Sequence, residues 1–350
     1  MGRLWRATIR WPSVQALGLL IVVLLLGLGA GFYWTSEITL VGIYTLVLIG
    51  LNLFMGYTGQ VSLGQAGFFG IGAYGVGILS VSFHLSPWLG LLAGVVVSAL
   101  VAWVLGVATL HLREHFLALA TLAFGIIADV AFEQLPLTGG NSGLSGIPGL
   151  GLGNGAFGFY GFLVFTWVAV ALAAWFAKRL VHSGTGGLLE AVRSSEVATS
   201  LMGINPSRIK QEVFILSAIF AALAGGIYAS WIGYIDPTVF TFALSISLVL
   251  MAVVGGLRSV FGAVVGVSVV EGISQVLKTV GLAIPQLGSG ALEMTVYGLV
   301  LVVVMMFWPH GLVTASLAWR RKRQQTTLAR TTMSEQLSPG QQFSQDGGRS

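Results

Sequence analysis

The chain has 350 residues, 55% of them hydrophobic and only 8% charged, and its mean hydropathy of +0.89 excludes an ordinary soluble domain and places it in a membrane. The formal charge of +5 comes from Lys and Arg gathered at the two ends and in short loops, so it reports topology and excludes a nucleic-acid face. The absence of cysteine excludes disulfides, thiolate nucleophiles and cysteine metal sites.

Arg3, Arg6 and Arg10 precede an apolar run from Val14 to Phe32. Its length, and the many spans that follow, favour an uncleaved first span over a signal peptide cut near Gly29, Ala30 and Gly31. A roughly 30 Å hydrocarbon core crossed at 1.5 Å per residue predicts spans over 14–34, 37–55, 60–80, 88–110, 115–134, 157–177, 212–234, 240–257, 260–279 and 290–308. The expected fold is an all-α polytopic bundle of about ten helices, without cofactor or metal. The 60–80 and 240–279 stretches are the ones open to a re-entrant or interrupted form.

Residues 56–79 place eight glycines with Thr58, Gln60, Ser62 and Gln65 inside membrane-grade sequence. Gly64, Gly67, Gly70 and Ala73 recur every three residues, a pattern that serves close helix packing or lines a pathway. GIGAYG (70–75) satisfies G-x-G-x-x-G, but no strand precedes it, so a dinucleotide site is not expected. Gln60, Ser62 and Gln65 follow Gly59, where the helix is weakest. They either face a water-filled cavity or solvate an internal kink.

Farther along, the histidines of HLREH (111–115) are expected at a membrane interface, since the H-E-x-x-H order of a zinc helix is missing. Asp129 and Glu271 are the candidate intramembrane carboxylates, with Glu133 and Glu293 placed nearer the outer surface. The outer connection 135–156 is rich in turn formers, and is either a docking surface or a glycine-rich connector. In the inner connection 178–211, the apolar residues Leu188, Ala191, Val192, Ala198, Leu201 and Met202 fall mostly at three- and four-residue spacing, which predicts a short amphipathic helix. Gly203 is its expected cap, and Asn205 with Pro206 starts the next helix. Residues 311–350 are expected to form a disordered cytoplasmic tail, whose RRKR cluster (320–323) contacts lipid headgroups.

Alternating sides from a cytoplasmic N-terminal segment (1–13) puts Arg113, Lys178, Arg179, Arg193, Arg208, Lys210, Arg258 and the RRKR cluster on the cytoplasmic face and Lys278 on the other, as the positive-inside rule requires. No P-loop occurs, so any ATP that drives the chain binds another subunit.

GYTGQVSLGQAGFFGIGAY (56–74), LALATLAFG (117–125), TGGNSGLSGIPGL (138–150), LLEAVRSSEVATSLMGINPSRIK (188–210), FILSAIFAALAGGIYASWIGYIDPTVF (214–240) and SISLVLMAVVGGLRSVFGAVVG (245–266) together resemble branched-chain amino-acid ABC transporter permeases of the LivM type, over about residues 37–310. The resemblance implies a non-enzymatic permease subunit of a bacterial inner-membrane importer. Its implied partners are a second homologous permease, two ATP-binding subunits and a periplasmic or lipid-anchored solute-binding protein. It also implies a 14–310 permease domain and a substrate pathway near Gln60, Ser62, Gln65, Gly67 and Asp129. Coupling to the ATPase is implied through Glu190, Arg193, Glu196, Ala198 and Gly203, and docking of the binding protein on Thr138, Gly139, Gly140 and Asn141. Asp129, Arg258 and Ala263 depart from the usual pattern and leave room for other solutes, including urea or short amides. A proton-coupled carrier acting alone is the alternative from a different class.

Overall fold

The apolar runs fold as helices, the form in which each backbone N–H and C=O finds its partner within the segment. A computed structural model of the protein describes residues 31–110, 114–152 and 155–283, with Thr295, Gly298 and Leu299. Nearly all of the expected first and last spans, the N-terminal segment, the C-terminal tail and His111–Arg113 lie outside these residues.

In chain order the helices are α1 (Phe32–Leu51), continued by a π-helical turn (Asn52–Tyr57), α2 (Gln65–Val81), α3 (Pro87–Thr109), α4 (Glu114–Gln134), α5 (Phe159–His182), the short α6 (Gly184–Ser194) and α7 (Glu196–Leu201), α8 (Pro206–Ile232), α9 (Phe242–Gly255) and α10 (Val260–Ala283). Among the described residues, five helices are long and apolar enough to cross a membrane: α1 with its π turn, α3, α4, α5 and α8. Helices α2 and α9, within the 60–80 and 240–257 stretches that were open to an interrupted form, have 17 and 14 residues. At 1.5 Å per residue, α9 reaches about 21 Å, less than a hydrocarbon core. The shortening of α2 has a local cause, given below.

Contacts fix the helix directions. Phe32 stacks on Phe159 and Gly42 lies against Thr166 and Trp167, so α1 and α5 run parallel. Gly67 lies against Phe124 and Gly70 against Phe132, so α2 runs with α4, while Gly75 meets Gly94 on the antiparallel α3. One end of the bundle carries α6, α7 and the α9–α10 turn. The other carries two small antiparallel pairings, β1 (Leu144–Ser145) with β4 (Tyr234–Ile235) and β2 (Gly151–Leu152) with β3 (Gly155–Ala156).

The α1 and α8 helices are mostly buried, whereas α3 exposes Leu92, Val96, Leu100, Trp103 and Val107 along one stripe, a face suited to lipid. The innermost element is α2, wrapped by α3, α4, α8 and α9. Its glycines serve packing: a Cβ on Gly72 would collide with the Ala222 carbonyl of α8, and one on Gly225 with the Phe69 carbonyl of α2. Two helices thus meet backbone to backbone, where only the smallest residue fits.

The 135–156 connection is more ordered than a glycine-rich connector. Thr138 is buried and its hydroxyl donates to the Phe132 carbonyl at 2.7 Å. Ile147 and Leu150 are also buried, and the Ile147 N–H donates to the Gly233 carbonyl at 3.1 Å. This lid closes over the far end of α2, where Gly77 faces Ile235, Leu144 and Ile147.

Gly72→Val should therefore lower stability by about 1–3 kcal/mol or more, the cost of overpacking a filled core. Gly272→Ala, a helical site with open space around it, should be neutral. Thermal unfolding of the two purified variants in detergent checks the contrast.

Candidate functional site

The third apolar run starts with a break. The Thr58 hydroxyl donates back to the Phe54 carbonyl at 2.6 Å, Gly59 turns left-handed at φ 77°, and helix resumes only at Gln65. The Gly59 N–H still donates to the Met55 carbonyl at 3.2 Å, but the N–H groups of residues 60–64 have no helical acceptor and must be met by side chains. Three helices supply them. The Leu63 N–H donates to Thr121 Oγ1 of α4 at 3.0 Å, the Ala66 N–H to Ser245 Oγ of α9 at 3.1 Å, and Gln65 Nε2 to Ser217 Oγ of α8 at 3.0 Å.

All of these side chains are buried. Three buried oxygens at or beside the break, Ser62 Oγ, Gln65 Oε1 and Asn52 Oδ1, have no hydrogen-bond partner. A buried acceptor left open costs about 1–3 kcal/mol, so the junction is closed sterically and unfinished chemically. Together with the N-terminal N–H groups of α2, which carry the positive end of its dipole, these oxygens make the junction a polar spot in the interior.

Gln60, Ser62 and Gln65 are brought together here, yet none lines an open path in this conformation, because each is at most 2% exposed. Gly67, expected on the pathway, packs on Phe124 and Ala128. Asp129 lies eight residues along α4 from Thr121, about 12 Å of rise, half-buried and with Oδ1 unpartnered. It is therefore a turn or more removed from the junction. On the lid, Thr138 is buried, Gly139 and Gly140 take left-handed φ of 78° and 56°, and Asn141 is exposed.

At the α6–α7 end, the amphipathic stretch is two helices where one was expected. It breaks at Ser195, whose hydroxyl caps α7 by accepting from the Ala198 N–H at 3.2 Å. Gly203 is left-handed at φ 80°, and the Asn205 side chain accepts from the Ser207 and Arg208 N–H groups to start α8, as expected. Glu196 pairs with Lys210, whose side chain is buried on α8. Arg193 Nη1 donates to the Gly56 carbonyl at 2.6 Å, and Arg258 Nη2 to Glu190 Oε1 at 2.6 Å.

The hydrogen bond and charge of Arg258 hold the Glu190 carboxyl below its ordinary value. A depressed carboxylate contributes its stability above the unfolded-state value and loses it as pH falls through the folded one, so this tether stands throughout the neutral range and is lost only in acid. Val197, Leu201 and Met202 of this unit are 71–83% exposed, and Ala198 is exposed beside them.

Thr121, Ser217 and Ser245 carry much of this geometry and were not singled out by sequence. The available signal was a hydroxyl residue inside a span, which has to be facing something polar.

The chain matches the family model described as "Branched-chain amino acid transport system / permease component" over residues 33–305. It is 31% identical to the high-affinity branched-chain amino acid transport system permease protein LivM of Salmonella typhimurium, over 79% of this chain and 68% of that protein. The LivM protein of Escherichia coli is 30% identical over the same shares. A guanosine ABC transporter permease protein, NupQ of Bacillus subtilis, is 28% identical over 71% of this chain and 82% of its own length. No solved structure matches.

If Gln65 and Ser217 act as one unit, Gln65→Leu and Ser217→Ala should be non-additive by about 0.5–3 kcal/mol. A double-mutant cycle on chemical unfolding measures it, and strict additivity would remove the bond from the account.

Proposed function

The chain belongs to the branched-chain amino acid transport system permease family, and on that premise we propose that it is one of two homologous permease subunits of an ABC importer for branched-chain amino acids. Two separate ATPase subunits power the importer, and a solute-binding protein feeds it. Translocation is its task, and ATP hydrolysis belongs to the partners.

The observation that carries the reading is the α6–α7 unit. It is a short amphipathic pair at one end of the bundle, pinned to the spans by Arg193, Glu190 and Glu196 while Val197, Leu201 and Met202 stay exposed. An apolar ridge of this kind beyond the membrane suits insertion into a partner, here the ATPase. Lys178, Arg179, Arg193, Arg208, Lys210 and Arg258 lie at this end, which supports a cytoplasmic assignment for it. With a first span before α1 and a last one after α10, both termini are then cytoplasmic and the chain crosses a bacterial inner membrane about ten times.

The binding protein docks on the opposite lid, around Gly139, Gly140 and Asn141. Solute passes the junction of Gln60, Ser62 and Gln65 when it opens, on a route that also carries Gly67 and Asp129. Branched-chain amino acids are favoured over nucleosides because the LivM proteins match at 31% and 30% and the guanosine permease at 28%.

Proteoliposomes holding this chain, its paired permease, the ATPases and the binding protein should accumulate labelled leucine only with internal-face ATP. Uptake should be competed by isoleucine and valine and left untouched by guanosine. Uptake without the ATPases would contradict the importer, and competition by guanosine alone would reassign the solute.

A further inference from the structure

Three of the residues expected to touch the ATPase, Glu190, Arg193 and Glu196, are engaged within the chain. Arg193 of α6 reaches the Gly56 carbonyl at 2.6 Å, at the end of the π turn, where carbonyls lack helical partners and a cation is favoured. Glu190, one turn earlier on α6, holds Arg258 at 2.6 Å. Arg258 occupies the α9–α10 turn in a left-handed conformation, φ 89°. Its guanidinium lies 5.3 Å from the centre of the Tyr57 ring, and the Tyr57 hydroxyl donates back to the Arg258 carbonyl at 3.2 Å. Asn52 Nδ2, at the start of the π turn, donates to the Ser259 carbonyl at 3.3 Å.

The π turn and the α9–α10 turn are thus stitched together, and α6 holds both. π turns are rare and recur at functional sites, which marks this one as the place for the span to yield. Seven residues beyond Tyr57 the chain has passed through the non-helical 59–64 break into the α2 cap at Gly64.

We propose that Arg193 and Glu190 are positioning residues that transmit movement of the α6–α7 unit to the broken span. Arg193 pulls on the Gly56 carbonyl and Glu190 on the α9–α10 turn, so that displacement of α6 shifts residues 52–64 against the fixed body of α2. This rests on the importer reading. It separates two roles within one loop: α7 presents the exposed apolar ridge, and α6 grips the permease interior.

The chain has no cysteine, so Val61→Cys, at an exposed position of the break, provides a single reporter. In the assembled transporter, the rate at which this thiol reacts with a hydrophilic maleimide should differ between the nucleotide-free and vanadate-trapped states. Adding Arg193→Ala should leave the ATPase subunits bound, abolish that difference and lower solute moved per ATP hydrolysed about fivefold or more, the size of a typical coupling free energy. Arg193→Lys should restore part of both readouts, because it keeps the charge and one donor.

An unchanged maleimide difference and an unchanged transport-to-hydrolysis ratio in Arg193→Ala would overturn the proposal. Loss of the ATPase subunits from that variant would do so too, by making Arg193 a docking residue. ATP-independent uptake by the unsubstituted complex would instead refute the importer reading on which the proposal stands.

Discussion

The structure depends on how closely α2 is held by its neighbours. At Gly72 and Gly225 the backbones of α2 and α8 touch with no room for a methyl group, and at Gly75 and Gly94 those of α2 and α3 do the same. Lipid offers no hydrophobic drive between helices, so association in the membrane relies on van der Waals contact of this kind. An α2 fixed along its length cannot slide or tilt independently. Any movement at its base has to be taken up by the segment that leads into it.

That segment is built to differ from the helix it joins. Thr58 and Gly59 end the preceding helical turn, residues 60–64 follow without helical pairing of their N–H groups, and Thr121, Ser217 and Ser245 come from α4, α8 and α9 to meet the junction. The arrangement meets the Leu63 and Ala66 N–H groups and the Gln65 amide nitrogen but leaves the oxygens of Ser62, Gln65 and Asn52 open. Each open acceptor is a buried polar group that the helices around the junction do not meet. The polar chemistry is placed where the span is thinnest in hydrogen bonds, and the α6 tethers end on the same segment.

Much of this was legible in the sequence. The helix positions within the described residues follow the apolar runs, and Gly203, Asn205 and Pro206 marked the entry to α8 because capping chemistry is local. The density of glycine in 56–79 announced close packing, and Gly59 located the break. The one-residue interruption at Ser195 was hidden, because Ser195 lies within a continuous amphipathic pattern and only the Ala198 N–H reveals its capping role. The partners of Gln65 and Ala66, 152 and 179 residues away at Ser217 and Ser245, could not be read, since pairing across a bundle has no local signal. Glu190, Arg193 and Glu196 were recognised as belonging to one loop, but their direction, inward onto Gly56, Arg258 and Lys210, follows from tertiary geometry. The lid over α2 was likewise hidden, because a glycine-rich stretch reads the same whether it hangs free or pairs with a distant Tyr234–Ile235.

The central claim is that a rigid, glycine-packed α2–α8 body is driven through a yielding segment at its base. Spin labels on single cysteines at Phe83, Val61 and Ile232, all exposed, would test it by pulsed distance measurement in the assembled transporter, trapped with and without nucleotide. The account predicts a Phe83–Ile232 distance that stays fixed, since both labels ride on the packed pair, and a Val61–Ile232 distance that changes. A Phe83–Ile232 distance that shifts as much as the other, or a Val61–Ile232 distance that does not move, would contradict it.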